Sequence, residues 1–290
     1  MANVRSISWA CNRIGISLAN RGRHSAAARW YRRAIRWDAS WDAPRFNLGV
    51  VCKLTARWSY CLEANQRAVE LNPENEGAWW NIGIAATALS QWAEARRAWG
   101  EIGLDCPPGN DEVDLQLGAH PVRLNPQGRA EVVWCQALDP ARAKIANVPT
   151  PESGFRFGDI VLRDGVPNGF RVWQGVEVPV FDSLGLWKSS GFGTFELVLE
   201  SAAPEAIGWL RESCKARGWG FEECNLIRHL CEADDRGTIS ATSRPIPDDP
   251  VRLLVAAPSE SEVRATLDFS TGSAGLRCEL KLTCQLSPLA

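Results

Sequence analysis

The sequence predicts a multidomain chain, helical in its first third and α+β thereafter: a stack of helical hairpins, a small β-rich segment, then a β-α-β-β-α-β unit. Three observations carry this prediction. A 34-residue pattern is written three times between Ser8 and Gly109, with Gly15, Gly49 and Gly83 spaced by 34 and Ala27, Cys61 and Ala95 spaced likewise. Composition changes at Pro107-Pro108-Gly109-Asn110, where Pro and Gly stop the last helix. Beyond it, short apolar runs alternate with turn residues, and only two further segments carry the helical period.

Within each repeat, apolar residues recur at helical spacing over two segments of about a dozen residues separated by a short polar turn. Small residues at one repeat position mark where the two helices of a hairpin cross closely. An aliphatic residue precedes each glycine (Ile14, Leu48, Ile82), a second small site falls at Ala34 and Ala68, and Pro73 and Pro107 close their repeats. No hairpin of this kind buries both its faces, so neighbours must stack. Residues 1–7 read as a short lead-in, and the helical domain as 1–109.

This pattern resembles the tetratricopeptide repeat (TPR) family. The third repeat matches best, with Trp79, Ile82, Gly83, Ala95, Trp99 and Pro107 at the family's motif positions. The second keeps Leu48, Gly49, Ala68 and Pro73 but has Arg45 and Asn65 where the family has aromatic residues. The first keeps Gly15, Ala27, Tyr31 and Ala34 and departs at Cys11 and Ala39. The resemblance implies a concave groove lined by the first helix of each hairpin. Carried onto this chain, its positions are Trp9, Asn12, Ile16 and Ala19, then Ala43, Phe46, Val50 and Lys53, then Gly77, Trp80, Ile84 and Thr87. Such a groove is largely apolar with a few polar tips. The family's carboxylate clamp for chaperone tails needs Lys and Arg where this chain has Asn12, Ile16 and Gly77, so a chaperone-tail receptor is not expected.

Arg29, Arg32, Arg33 and Arg36 share one helix with Trp30, Tyr31 and Trp37. Like charges four apart cost a few tenths of a kcal/mol in an isolated helix, so the stripe reads either as a solvated face or as one kept for an acidic partner.

After an acidic linker to Gly118, Pro121–Leu124 and Ala130–Leu138 flank the turn Asn125-Pro126-Gln127-Gly128. Asp159–Arg163, Phe170–Trp173 and Val176–Phe181 follow, separated by Asp164-Gly165 and Gln174-Gly175. Five short strands predict a small domain over 119–190, similar to an SH3-like barrel. Over 191–290 come a strand at Thr194–Glu200, a helix from Pro204 to Arg217 stopped by Gly218, and strands at Phe221–Leu230 and Val251–Ala257. A short helix capped by Ser259 and Glu262 buries Val263 and Leu267, and Leu276–Leu286 closes the set. The order resembles a ferredoxin-like unit.

The 290 residues are 45% apolar and 23% charged with net charge −2, which excludes disorder and bulk attraction to nucleic acid or membrane. Charge is uneven: residues 8–109 carry 13 Lys/Arg against 9 Asp/Glu, and 110–290 carry 18 against 25. Ten cysteines without framework spacing predict reduced thiols. With no secretory apolar run and no membrane-length segment, a cytoplasmic protein is expected.

Chemistry is sparse. The chain lacks a nucleotide-binding glycine loop, HExxH, GxSxG and a kinase set. Cys224, His229 and Cys231 form the one cluster that could be read as ligands, and strand alternation sends Cys224 to the opposite face; Cys278 and Cys284 read as core. No metal, cofactor or small-molecule ligand is expected, and not an enzyme. The expected function is binding a partner protein or peptide through Trp9, Asn12, Ile16, Phe46, Val50, Lys53, Trp80, Ile84 and Thr87, with the acidic C-terminal half as a second surface. Alternatives are a bacterial immunity protein neutralising a cognate toxin, which the repeats joined to an acidic half resemble; a ligand-sensing or enzymatic ferredoxin-like domain with the repeats as adaptor; and nucleic-acid binding through the arginine stripe.

Overall fold

The computed structural model describes residues 2–199, 204–224, 251–273 and 280–286. Two compact units divide the chain, one made of residues 1–116 with 138–141, the other of 117–137 with 142–290.

The first unit holds six helices in three antiparallel hairpins: α1 (Ala2–Ala19) with α2 (His24–Trp37), α3 (Ala43–Leu54) with α4 (Trp58–Leu71), and α5 (Glu76–Ala88) with α6 (Trp92–Glu101). α1 begins six residues before Ser8, because nothing in residues 2–7 breaks the helical register; the expected lead-in is helix. Ser8 is fully buried and donates its hydroxyl to the Ala34 carbonyl. Each repeat glycine faces the side chain 16 residues onward. A methyl added at Gly15, Gly49 or Gly83 would overlap Tyr31, Asn65 or Trp99 respectively, so glycine makes room for one large side chain per hairpin. Asn65, where the family has an aromatic, is fully buried and polar, so it must be satisfied inside the stack. It donates to the Cys61 carbonyl at 2.7 Å and accepts from Asn81 at 3.3 Å. Asp42 ties the loops together by accepting from Asn72 and Asn75, and Asn75 caps α5 by accepting from the Ala78 N–H.

The turn inside each hairpin places one residue at positive φ, and these too recur every 34 residues: Gly22 (70°), Ala56 (52°) and Ser90 (57°). Only the first is glycine. A Cβ in the left-handed region costs about 1–2 kcal/mol, offset by the entropy glycine adds to the unfolded chain. Ala56→Gly is therefore expected to stabilise the repeats by up to about 1 kcal/mol, read as a higher urea midpoint; a lower midpoint would mean the turn carries no strain.

In the second unit, β1 (Ala119–Leu124), β2 (Glu131–Ala137), β3 (Arg142–Ile145), β4 (Ile160–Trp173) and β5 (Val176–Lys188) form a closed barrel. Neighbours pair antiparallel, and β1 closes onto β5 in parallel at Val122↔Phe181 and Arg123↔Asp182. Alternate residues point inward: Val122 and Leu124, Val133 and Cys135, Ala143 and Ile145, with Val161. Asp164-Gly165 does not separate two strands. β4 runs on through it, with register shifts between Arg163, Pro167 and Phe170, so the turn-like residues make bulges in one long strand. Gln174 and Gly175, both at positive φ, turn β4 into β5.

The same unit continues with β6 (Gly193–Leu199), α7 (Pro204–Ala216), β7 (Gly220–Glu223), β8 (Val251–Ala257), α8 (Glu260–Ser273) and β9 (Leu280–Leu286). The sheet order is β7-β8-β6-β9, antiparallel throughout. β8 shows the logic of its two faces. Leu253, Val255 and Ala257 meet Leu210 and Cys214 of α7 and Val263 and Leu267 of α8, while Leu254 and Ala256 meet Val148 and Phe157 beside the barrel. Ser259 caps α8 by accepting from the Glu262 N–H. Asn147 donates to Glu222 at 2.7 Å, and burial pushes the Glu222 carboxyl above its ordinary range. The expected strand Phe221–Leu230 is seen over Gly220–Glu223; residues 225–250 lie outside the described residues.

Candidate protein-interaction site

The first helices of the hairpins bring the groove positions onto one side of the stack, but they are not equally presented. Trp9 is 53% exposed and Ile16 38%. Together with Asn12, Arg13, Asn20 and Trp41 they line a cleft of about 570 Å³. A second cleft of about 360 Å³ adjoins it, sharing Trp9 and Trp41 and adding Arg5, Asp38 and Ser40. The Arg13 guanidinium lies over the Trp9 ring, 4.8 Å from its centroid. Asn12 is buried beneath, where its side-chain oxygen accepts from Asn47 of α3 at 3.0 Å.

Further along, the groove closes. Phe46 and Val50 are half-buried, and the Phe46 ring rests where Gly77 leaves space. Trp80 is half-buried and meets Trp99 edge-on, with centroids 5.5 Å apart. Lys53, Ile84 and Thr87 are buried. The structure therefore brings Trp9 and Ile16 together at an open end, and leaves Lys53, Ile84 and Thr87 inside. The sequence carried a signal for this: α5 is apolar around nearly its whole circumference, which is the mark of a buried helix.

No protein-family model and no curated protein matches the chain. Among solved structures, it is similar to the second TPR of Spaghetti (RPAP3) bound to HSP90 peptide SRMEEVD, at 17% identity over 34% of this chain and 91% of that one, with TM-score 0.33. The Arabidopsis OM64 TPR domain is similar at 17% identity over 34% and 84%, TM-score 0.32. The Sgt2 TPR domain from Aspergillus fumigatus is similar at 18% over 32% and 62%, TM-score 0.31. The likeness is confined to about a third of this chain. Three hairpins at a 34-residue period, each with its glycine under a partner 16 residues on, decide the matter in the chain itself. The repeats are tetratricopeptide-like.

On the outer side of this TPR-like stack, Arg29, Arg32, Arg33 and Arg36 of α2 are all exposed, and Arg33 covers Trp30 at 5.5 Å. α2 buries the opposite side through Ala27, Ala28, Tyr31 and Ala34, and burial pushes the Tyr31 hydroxyl up to about 12. Two further features, the half-buried Trp41 and an exposed apolar arm, were not anticipated. Trp41 lies in the α2–α3 loop, outside every groove position, and a lone Trp in a polar loop was its only signal. In the second unit, Val166, Phe170, Val172, Trp173 and Val176 are exposed along the β4–β5 arm, with Trp173 edge-on to Trp134.

Nothing converges as metal chemistry among the described residues, where no three ligating side chains cluster. His229, Cys231 and Cys278 lie outside them, and no disulfide joins the eight described cysteines. Cys284, expected in the core, is exposed, since β9 stands at the edge of its sheet. Burial and the nearby Arg163 hold His120 down to about 4. Among the described residues no helix is long and apolar enough to cross a membrane.

Proposed function

We propose that this is a non-enzymatic protein-interaction protein whose TPR-like stack holds a segment of a partner protein at the open end of its groove, with the acidic C-terminal unit as a further contact surface. The observation that carries the reading is the half-exposed Trp9, standing in a cleft large enough for a side chain and flanked by Ile16 and Trp41. Aromatic anchors in such pockets dominate interface energies. We further read the closed barrel as SH3-like and the second sheet as ferredoxin-like, a reading supported by the strand order β7-β8-β6-β9 with antiparallel pairing throughout. These modules position surfaces and do not themselves specify a reaction.

The test changes Trp9→Asp together with Ile16→Asp in the full chain. Both side chains are exposed, so circular dichroism and melting should stay near wild type, whereas Phe46 and Trp80 pack within the stack and are poor test positions. Affinity capture from the native cell should yield a protein that wild type holds and the variant loses, with affinity weakened by at least about tenfold. Equal capture by both chains would overturn the assignment.

A further inference from the structure

We infer that the segment held at this end of the stack is an acidic peptide, its carboxylates taken by Arg13 and Arg21 and an apolar side chain set against Trp9 and Trp41. The inference rests on the reading above and adds the chemistry of the occupant. Arg13 and Arg21 line the larger cleft and Arg5 the adjoining one, so both are rimmed by guanidinium groups. Arg13 and Arg21 are exposed and make no ion pair among the described residues. Among the described residues the one carboxylate at the rim, Asp38, is already engaged. Its Oδ1 accepts from the Ser40 N–H at 3.1 Å and the Ser40 hydroxyl at 2.7 Å, and its Oδ2 lies 3.9 Å from Arg5.

Two cations without counter-ions among the described residues, beside the exposed Trp9 ring and the half-buried Trp41, complement one kind of segment. A basic peptide would be repelled. A neutral apolar peptide would satisfy the indoles and leave the guanidiniums unused. Arg13 is moreover stacked on Trp9, so its fork of donors is held in place before a carboxylate arrives, which lowers the entropy lost on binding. A nucleic-acid strand is the weaker match. It needs a cationic track that follows the phosphates, and here Asp38 interrupts the rim and the whole chain carries net −2.

The test pans phage-displayed random peptides on the immobilised full chain, then measures a selected peptide by fluorescence anisotropy. Selected sequences should be enriched in Asp and Glu around an aromatic or aliphatic residue. Replacing their acids by Asn and Gln, or making Arg13→Glu with Arg21→Glu, should weaken binding by about tenfold or more, and added salt should weaken it further. Because both arginines are exposed, an unchanged melting curve accompanies that loss. The inference is overturned if no peptide is selected, if selected peptides are neutral or basic, if the arginine variant binds the acidic peptide as well as wild type does, or if labelled oligothymidylate competes equally. Neutral peptides that bind wild type but not the Trp9→Asp, Ile16→Asp chain would overturn this inference while leaving the proposed function standing. Binding indifferent to both variants would overturn both.

Discussion

Trp99→Ala is expected to lower the stability of the repeats by about 3–5 kcal/mol, measured by urea unfolding, which places it among the costliest single substitutions in the stack. Trp99 is 1% exposed, sits over Gly83 in its own hairpin and meets Trp80 edge-on. Its removal forfeits the transfer of a large ring, leaves a void that the rigid helix pair fills only in part, and loses an aromatic contact worth about 0.5–1.5 kcal/mol. The opposite change has the same root. Gly83→Ala puts a methyl into the space the indole occupies and should cost about 1–3 kcal/mol through overpacking. The diagnostic result is the double variant. With the indole gone the methyl has room, so Gly83→Ala should cost little or nothing in the Trp99→Ala background, giving a coupling of about 1–3 kcal/mol. Additive losses would show that glycine is needed there for some reason other than the ring.

The recurrence of that glycine was legible because it is imposed by space: each hairpin admits one large side chain at the crossing, and the sequence repeats the exclusion every 34 residues. The positive-φ turns at Ala56 and Ser90 were not, because those residues are set in the left-handed region by the hairpin around them and carry no glycine to announce it. Local chemistry was readable where it acts over one turn, as in the Ser259–Glu262 cap. It misled at Asp164-Gly165, where the antiparallel partner β5 keeps β4 extended through a bulge. Barrel closure between β1 and β5 joins residues almost 60 apart, beyond the reach of any local pattern. The groove was legible only by position. Which of its residues face outward depends on packing, and that is why Trp9 and Ile16 lie open while Ile84 is buried.

Gly220→Val is expected to destabilise the second unit by about 2–3 kcal/mol and to loosen the barrel from the sheet, with the loss read by hydrogen exchange at β2, β3, β7 and β8. The reason is contact, since Gly220 has an ordinary φ. A Cβ there would stand 2.6 Å from a Val148 methyl and 2.8 Å from the Phe157 ring. Val148 is 2% exposed and belongs with Leu254, Ala256, Phe157 and Phe192 to the apolar seam between barrel and sheet, so neither neighbour can retreat without opening it. Beside the seam, Asn147 accepts from the Trp134 N–H and donates to Glu222, each at 2.7 Å, so a wedge at Gly220 also strains a polar link from β2 to β7. Gly208→Ala supplies the control. Gly208 lies in α7 with nothing within 4 Å of an added methyl, and the change should be stabilising by about 0.5–1 kcal/mol. If residues 119–190 and 191–290 are independent domains, Gly220→Val should leave exchange in β2 and β3 at the wild-type rate. If the seam makes them one cooperative body, protection falls in the barrel and the sheet together, by the same free energy.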